Sequence, residues 1–233
     1  TFQLARLKPI SFSNVLRSVM KGWVVESIMP GKVGSFAVAW FWQNEGLTLG
    51  QGAAVALMYR LSLGVITLVI GIFGSKFFFP TLHGDTLIVT IGILLLFGGG
   101  ILLYFLKDKL KTIISSLFHT KFSGFSSTFK EMVLDPSTAI LLLIFAFTQL
   151  AVASFIFYLM FNAIGYPVGF FPVLVSASLA QLAALVPISI NGIGIREGIM
   201  SALLAFGGIP IGVTILVSGI NTAVGYLLAF SFS

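Results

Sequence analysis

Long apolar segments dominate the pattern of hydrophobic and polar positions along the chain. A transmembrane helix needs about 20 mainly apolar residues, and four segments reach that length. They lie at residues 52–74, 87–106, 138–160 and 211–231. No region shows the regular alternation of apolar and polar residues that strands require. The pattern predicts an all-α, polytopic integral membrane protein in which residues 1–233 form a single transmembrane domain.

Two further apolar segments, at residues 12–45 and 170–206, are interrupted by proline and glycine at residues 29–34 and 186–194. Proline removes a helical hydrogen bond, so each break predicts two half-helices joined by an extended turn. Non-helical backbone is tolerated at membrane depth only where protein covers it or water reaches it. We therefore expect two re-entrant helical hairpins, with each break lining a cavity.

A weak internal similarity relates the two broken segments. When Gly34 is aligned with Gly194, Gly46 and Arg60 lie fourteen positions apart, as do the equivalent Gly207 and Asn221. A proline precedes each aligned glycine. Three full spans separate the copies, and an odd number of crossings inverts the second copy. The alignment predicts an inverted repeat, an architecture of many secondary transporters whose sites lie near the bilayer midplane.

Composition agrees with a bilayer location. Hydrophobic residues make up 58% of the chain and charged residues 9%, and the mean hydropathy is +1.09, whereas a soluble domain carries about 25% charged residues. In a membrane protein the net charge of +6 mainly indicates which loops face the cytoplasm. Loop 107–137 holds five lysines against three acids, which predicts a cytoplasmic loop of a cell-membrane protein. No basic stripe interleaved with aromatic residues indicates nucleic-acid binding.

A few charged residues lie in or near the broken segments. Ionisable groups at membrane depth indicate function by default. Glu26 and Lys32 belong to the first broken segment, and Arg196 and Glu197 follow the second break directly. Arg60 begins a full span, where it either extends to the lipid headgroups or faces a pathway.

The half-helices after both breaks are expected to present their amino-terminal N–H groups to the breaks, and such groups attract phosphate. An arginine fork suits phosphate bidentately. Asn191 either caps the second half-helix or binds the ligand directly, and the two glutamates either hold the cations or carry protons. The candidate substrate-binding residues are Glu26, Pro30, Lys32, Gly34, Arg60, Pro187, Asn191, Gly192, Gly194, Arg196 and Glu197.

The residues around both breaks resemble a known family. Residues 26–34 read ESIMPGKVG and residues 187–198 read PISINGIGIREG. Together they resemble the lysylphosphatidylglycerol synthase transmembrane region, a family of flippase-like bacterial and archaeal membrane proteins that includes stand-alone members. The second motif has the family's spacing. The first departs from bacterial members, which commonly have an acid and an arginine where this chain has Ser35 and Val38.

The resemblance implies movement of a lipid-linked anionic headgroup through a polar groove at the midplane. The partner it implies is an anionic phospholipid or a polyprenyl-phosphate lipid. Two alternatives stay open: the membrane half of an aminoacyl-lipid or glycosyl transferase whose catalytic domain is absent, and a small-solute permease. Since no nucleophile, metal set or general-base pair is assembled, we expect no catalytic residue, metal or cofactor here. A homo-oligomer is a further expectation.

Overall fold

Helices make up all the regular secondary structure in the described part of the chain. The computed structural model describes residues 10–29, 36–78, 123–184 and 192–231. In chain order the helices are α1 (Phe12–Ile28), α2 (Ala37–Gln43), α3 (Leu49–Phe78), α4 (Phe125–Leu134), α5 (Pro136–Ala163), α6 (Phe170–Ala183), α7 (Ile195–Phe206) and α8 (Ile211–Ser231). The all-α prediction is confirmed.

Three helices, α3, α5 and α8, are long and apolar enough to cross a membrane. Each carries large apolar side chains on its outer surface, such as Val65 in α3, Phe145 in α5 and Leu216 in α8. Helices that stay apolar on their outer side are typical of membrane spans. The predicted spans that lie within these helices are 52–74, 138–160 and 211–231.

Each interrupted apolar segment contains two helices, one before its break and one after it. In the first segment α1 ends at Ile28 and α2 begins at Ala37, and in the second α6 ends at Ala183 and α7 begins at Ile195. Met29 leaves α1 in an extended conformation, with φ −92° and ψ 145°. The two units differ in proportion, since α2 has 7 residues and α7 has 12. The re-entrant hairpins and the inverted repeat stay predictions.

Local sequence explains where two of the helices begin. The Ser11 hydroxyl accepts a hydrogen bond from the Asn14 N–H at 3.3 Å and so caps α1. Asp135 caps α5, because its Oδ1 accepts the Ser137 N–H at 3.2 Å. Pro136 occupies the first helical position of α5, where a missing N–H leaves no bond unmade.

Helix α4 lies inside the segment 107–137 that the sequence analysis treated as a loop. Its ten residues are too few to cross a bilayer. Met132 is buried, whereas Lys130 and Glu131 are exposed, and α4 contacts α3 and α5. A short amphipathic helix therefore covers one end of the longer helices.

Two hydrophobic clusters hold the helices together. The first joins the N-terminal helices and the start of α5, through Val15, Trp42, Leu47, Val55, Met58, Met132 and Leu142. The second joins α5 to α8, through Phe157, Phe161, Val168, Val173, Ala180, Met200, Leu204, Ile209 and Val217. Contacts of α3 with α6 and of α8 with α1 connect the two halves. These contacts place the helices of both broken segments in one bundle.

Candidate functional site

A largely buried ion pair joins the end of α1 to the middle of α3. The Arg60 Nη2 donates to Glu26 Oε1 at 2.6 Å, and the two side chains are 17% and 11% exposed. Removing water from a charge is costly unless an opposite charge replaces it. Arg60 therefore forms an interhelical contact with a carboxylate.

A second ion pair lies within the first turn of α7. Arg196 donates to Glu197 Oε1 through its Nε at 3.2 Å and its Nη2 at 2.9 Å. The other carboxylate oxygen of Glu197 accepts the backbone N–H of Gly194, the N-cap, at 2.7 Å. A glutamate at the third helical position commonly reaches back to the N-cap in this way. Glu197 therefore holds both the start of the helix and the arginine.

Arg196 also extends across to α8. Its Nη2 donates to Thr222 Oγ1 at 2.9 Å. A guanidinium has five N–H donors, and the contacts described use only those on Nε and Nη2. Within the described residues, Nη1 of Arg196 has no hydrogen-bond partner, and the side chain is 24% exposed. Two oriented donors thus stay available on a guanidinium whose position is already set.

The electrostatics of this turn favour an additional anion. The amino-terminal end of a helix carries a partial positive charge, so a cation there is normally unfavourable. Arg196 lies at the second position of α7, and Glu197 is the one acid in that first turn. Within this turn one carboxylate therefore balances both the guanidinium and the helix dipole, so the turn itself carries a net partial positive charge.

Two glycines shape the break before α7. Gly192 and Gly194 have φ values of 78° and 88°, a left-handed conformation that residues with a Cβ rarely adopt. A Cβ on Gly192 would lie 2.6 Å from the Ala184 Cβ, so this glycine lets α7 start close to the end of α6. No described atom lies within 4 Å of a Cβ built on Gly194. Among the described residues, nothing therefore covers this side of the N-cap of α7.

One turn of α8 contacts both Arg196 and the residue that follows Glu26. Thr222 accepts from Arg196, and Tyr226, four residues later, lies on the same face. The Tyr226 hydroxyl donates to the Ser27 carbonyl at 3.5 Å, next to Glu26 in the chain. Four helical residues rise about 6 Å. The helix end before the first break and the helix start after the second break therefore contact the same short stretch of α8.

Some buried hydroxyl groups have a hydrogen-bond partner in the described residues and others do not. On α3, Ser62, Thr67 and Ser75 each donate to a carbonyl of their own helix. An unsatisfied buried polar group costs about 1–3 kcal/mol, so most such groups have a partner. Within the described residues, five buried hydroxyls have none: Ser154 on α5, Ser176 on α6, Ser201 on α7, and Thr214 and Ser218 on α8.

The remaining predicted site residues lie outside the described residues. They are Pro30, Lys32, Gly34, Pro187 and Asn191, and the predicted span 87–106 lies there too. Since Gly194 is the N-cap of α7, the capping role predicted for Asn191 is wrong. In the described ranges, no three His, Asp or Glu side chains are grouped as a metal site requires.

Sequence reasoning missed the partners that α8 supplies. Thr222 binds Arg196, and Tyr226 binds the Ser27 carbonyl. Along α8 the residues Thr214, Ser218, Thr222 and Tyr226 recur every four positions, the spacing of one helix face. This polar stripe within an apolar span is the signal that identifies them.

A family model describes almost the whole chain. The model of the lysylphosphatidylglycerol synthase TM region matches residues 2–231. No curated protein and no solved structure matches the chain significantly. Together with the three apolar helices, the match makes this an integral membrane protein that interacts with membrane lipids and is linked to lipid modification or transport. The resemblance drawn from the two breaks is confirmed, and the chain belongs to the lysylphosphatidylglycerol synthase transmembrane region family.

Proposed function

We propose that the protein translocates the anionic headgroup of a lipid through a polar groove near the bilayer midplane. The observation that carries the proposal is the state of Arg196, which Glu197 and Thr222 hold in place while Nη1 stays available. The N–H groups of an arginine form strong, charge-assisted hydrogen bonds with phosphate oxygens, and a helix amino terminus adds to the attraction. The chain belongs to a family that is linked to lipid modification or transport, which supports a lipid as the source of that phosphate.

Translocation requires that the headgroup be released as well as bound. Glu197 occupies one side of the Arg196 guanidinium, so an arriving phosphate competes with a carboxylate already present. Binding of that kind is favourable enough for entry and weak enough for exit, as a permeation pathway needs. The acyl or isoprenoid chains stay in the bilayer, against the exposed apolar sides of α5 and α8.

The lipid of this proposal is either an anionic phospholipid or a polyprenyl-phosphate-linked lipid, since both present a phosphate. The membrane is the cell membrane, with loop 107–137 in the cytoplasm because of its lysine excess. The segments 12–45 and 170–206 act as re-entrant hairpins that let the groove open on both sides. Discontinuous helices of this type surround the substrate sites of many transporters.

The test is headgroup translocation in proteoliposomes, with labelled phosphatidylglycerol and a short-chain polyprenyl phosphate compared in parallel. Loss of charge-assisted hydrogen bonds worth about 3 kcal/mol predicts a roughly 100-fold slower rate for Arg196→Ala. Arg17→Ala is the matched control, since Arg17 is exposed on α1 and has no ion pair within the described residues. Unchanged translocation by folded Arg196→Ala protein contradicts the proposal.

A second function is favoured by the family description, which names the membrane region of a synthase. In that case Arg196 holds the lipid phosphate for a transferase domain and the headgroup does not cross. The same proteoliposomes distinguish the two functions. Arg196-dependent binding of phosphatidylglycerol without translocation supports the presenting role.

A further inference from the structure

We infer that the protein forms a parallel homodimer through the outer face of α5, with the Gln149 side chains of the two copies hydrogen-bonded to each other. The outer face contains no residue of the Arg196 site, so the dimer goes beyond the proposed function and does not depend on it. Three features of α5 support the dimer: a regular exposed stripe, an amide in that stripe with unpartnered donors, and the ability of that amide to pair with its own copy.

The outer stripe of α5 consists of exposed residues that are separated alternately by four and by three positions. They are Phe145, Gln149, Val152, Ile156, Leu159 and Ala163. A mean spacing of 3.5 residues keeps a stripe on the side of a helix that faces a neighbour crossing at about 20°. The outer stripe therefore has the spacing of a helix-pairing surface.

The large apolar side chains of the outer stripe are about half uncovered. Phe145 is 58% exposed, Val152 54% and Leu159 50%. The opposite face of α5, which includes Ala146 and Phe157, is buried within the protein. Helix α5 therefore packs one face into its own bundle and presents a second regular face outwards.

Gln149 is the one polar side chain of the outer stripe, and it lies at the middle of the 28-residue helix. The Tyr59 hydroxyl on α3 donates to its Oε1. Within the part of the chain that the structure describes, Gln149 Nε2 has no hydrogen-bond partner. Hydrocarbon offers no acceptor, so two N–H donors at the middle of a membrane span are costly until another polar group reaches them.

Other exposed polar side chains of α5 bond to their own helix. Thr148 donates to the Ile144 carbonyl at 2.8 Å, and Asn162 Nδ2 donates to the Tyr158 carbonyl at 2.7 Å. Bonding to the preceding turn is a common solution for short polar side chains in a helix. Gln149 does not use it in the described residues, so its donors point to a partner outside this bundle.

A second copy supplies the complementary group at the same depth. Two copies inserted in the same orientation are related by a twofold axis along the membrane normal, which brings the same residue of each copy to one level. A carboxamide has both donors and an acceptor, so Nε2 of each Gln149 donates to Oε1 of the other. The carbonyl oxygen accepts two hydrogen bonds, so Tyr59 keeps its contact.

One amide within an apolar stripe fixes which residues face each other. In coiled coils a single polar residue at such a position specifies the register and the number of helices. Glutamine side chains also hydrogen-bond across helices in membranes. The apolar members of the outer stripe therefore supply the packing, and Gln149 sets the register of the dimer.

Disulfide crosslinking tests the surface directly, because the chain has no cysteine of its own. Ile156→Cys lies on the outer stripe, and the matched control Ile144→Cys lies off it on the same helix, with the two native side chains 45% and 54% exposed. A disulfide requires Cα atoms within about 7 Å. In proteoliposomes with copper phenanthroline we expect dimers to form at least about tenfold faster at position 156. Equal rates, or no dimer at position 156, overturn the proposal.

Lipid dilution tests the amide. Energy transfer between labelled copies of the full chain is followed as the lipid-to-protein ratio rises. Loss of two hydrogen bonds across helices predicts a roughly tenfold weaker dimer for Gln149→Leu, with part of the affinity restored in Gln149→Asn. Thr148→Val, the neighbouring control, should dimerise like the native chain. Native dimerisation by Gln149→Leu overturns the amide pairing, and the cysteine variants, which keep Gln149, cover the case in which Gln149→Leu fails to fold.

The same measurements separate the dimer from other occupants of the face. A chain that is monomeric at every lipid-to-protein ratio overturns the dimer. Slower labelling of Ile156→Cys than of Ile144→Cys by a membrane-permeant maleimide in that monomer assigns the face to another segment of this chain, and equal labelling assigns it to lipid. Arg196-dependent translocation by a monomer leaves the proposed function standing, whereas a dimer without translocation rejects that function alone.

Discussion

The two ion pairs of the described chain use the same residue types for different purposes. Glu26 and Arg60 are 34 residues apart and join two helices, with their charged atoms 2.6 Å apart. Arg196 and Glu197 are neighbours in one helical turn, and their charged atoms are 2.9 Å apart. The first pair links α1 directly to α3. The second pair makes two hydrogen bonds, and the Nη1 donors of its arginine have no partner among the described residues.

The difference lies in what surrounds each arginine. Arg60 is the more enclosed, at 17% exposed, and its carboxylate partner comes from another helix. Arg196 is 24% exposed at a helix terminus, and its partner also caps that helix. A pair that links two helices stabilises the fold. A pair within one helix turn instead holds the arginine in position to bind a ligand. Stability and ligand binding are therefore expected to depend on different pairs.

The largest expected effect is on stability, at the first pair. Glu26→Ala leaves Arg60 buried without its carboxylate, and breaking such a pair costs about 3–5 kcal/mol of unfolding free energy. Thermal unfolding in detergent measures the loss, with Glu131→Ala, exposed on α4, as the control. The swapped double variant Glu26→Arg, Arg60→Glu should recover part of the stability. Equal melting temperatures for Glu26→Ala and Glu131→Ala would remove the distinction between the pairs.

A smaller effect is expected when the carboxylate of the second pair is altered. Glu197→Ala removes the bond to the Gly194 N–H, and loss of a helix cap costs about 1 kcal/mol. Glu197→Gln keeps an oxygen for that bond and removes the charge, so stability should stay near that of the native protein. Phosphatidylglycerol binding by Arg196 should then tighten, as titration of the lipid fraction in vesicles measures. Identical stability and binding for the Ala and Gln variants would contradict the two roles assigned to Glu197.

The smallest effect is expected at Thr222. Thr222→Val preserves shape but removes the oxygen that accepts from Arg196 Nη2. Loss of one hydrogen bond of about 1 kcal/mol predicts a roughly fivefold slower translocation. The control is Thr148→Val on α5, whose hydroxyl donates to the Ile144 carbonyl at 2.8 Å. If both variants translocate at the native rate, α8 does not position the arginine.

Some features of the site follow directly from local sequence. The breaks at residues 29–34 and 186–194 fall between helices in the structure, because proline and glycine act on the backbone within a few residues. Glu197 caps α7 for a similarly local reason, three residues after Gly194. Interactions of this range are readable from spacing alone.

Other features escaped the sequence because nothing local indicates them. The partner of Arg60 is Glu26, across another helix, and no spacing rule pairs residues that far apart. The α4 helix was missed since its ten residues carry charges and have too short an apolar stretch to stand out in a loop. Asn191 was expected either to cap α7 or to bind the ligand directly, and the helix starts later, after a glycine with positive φ.

The sequence by itself determined that this protein is helical, that it is an integral membrane protein, and which family it belongs to. It also determined the positions at which the helices are interrupted. It could do so because apolar length, proline and glycine positions and short motifs act along the chain. Only the tertiary structure decided which charges neutralise each other, that Thr222 accepts a hydrogen bond from Arg196, and that the hydroxyls of Ser201, Thr214 and Ser218 are buried with no partner among the described residues. The reason is that helix rotation and register, set by packing between distant segments, choose which side chains meet.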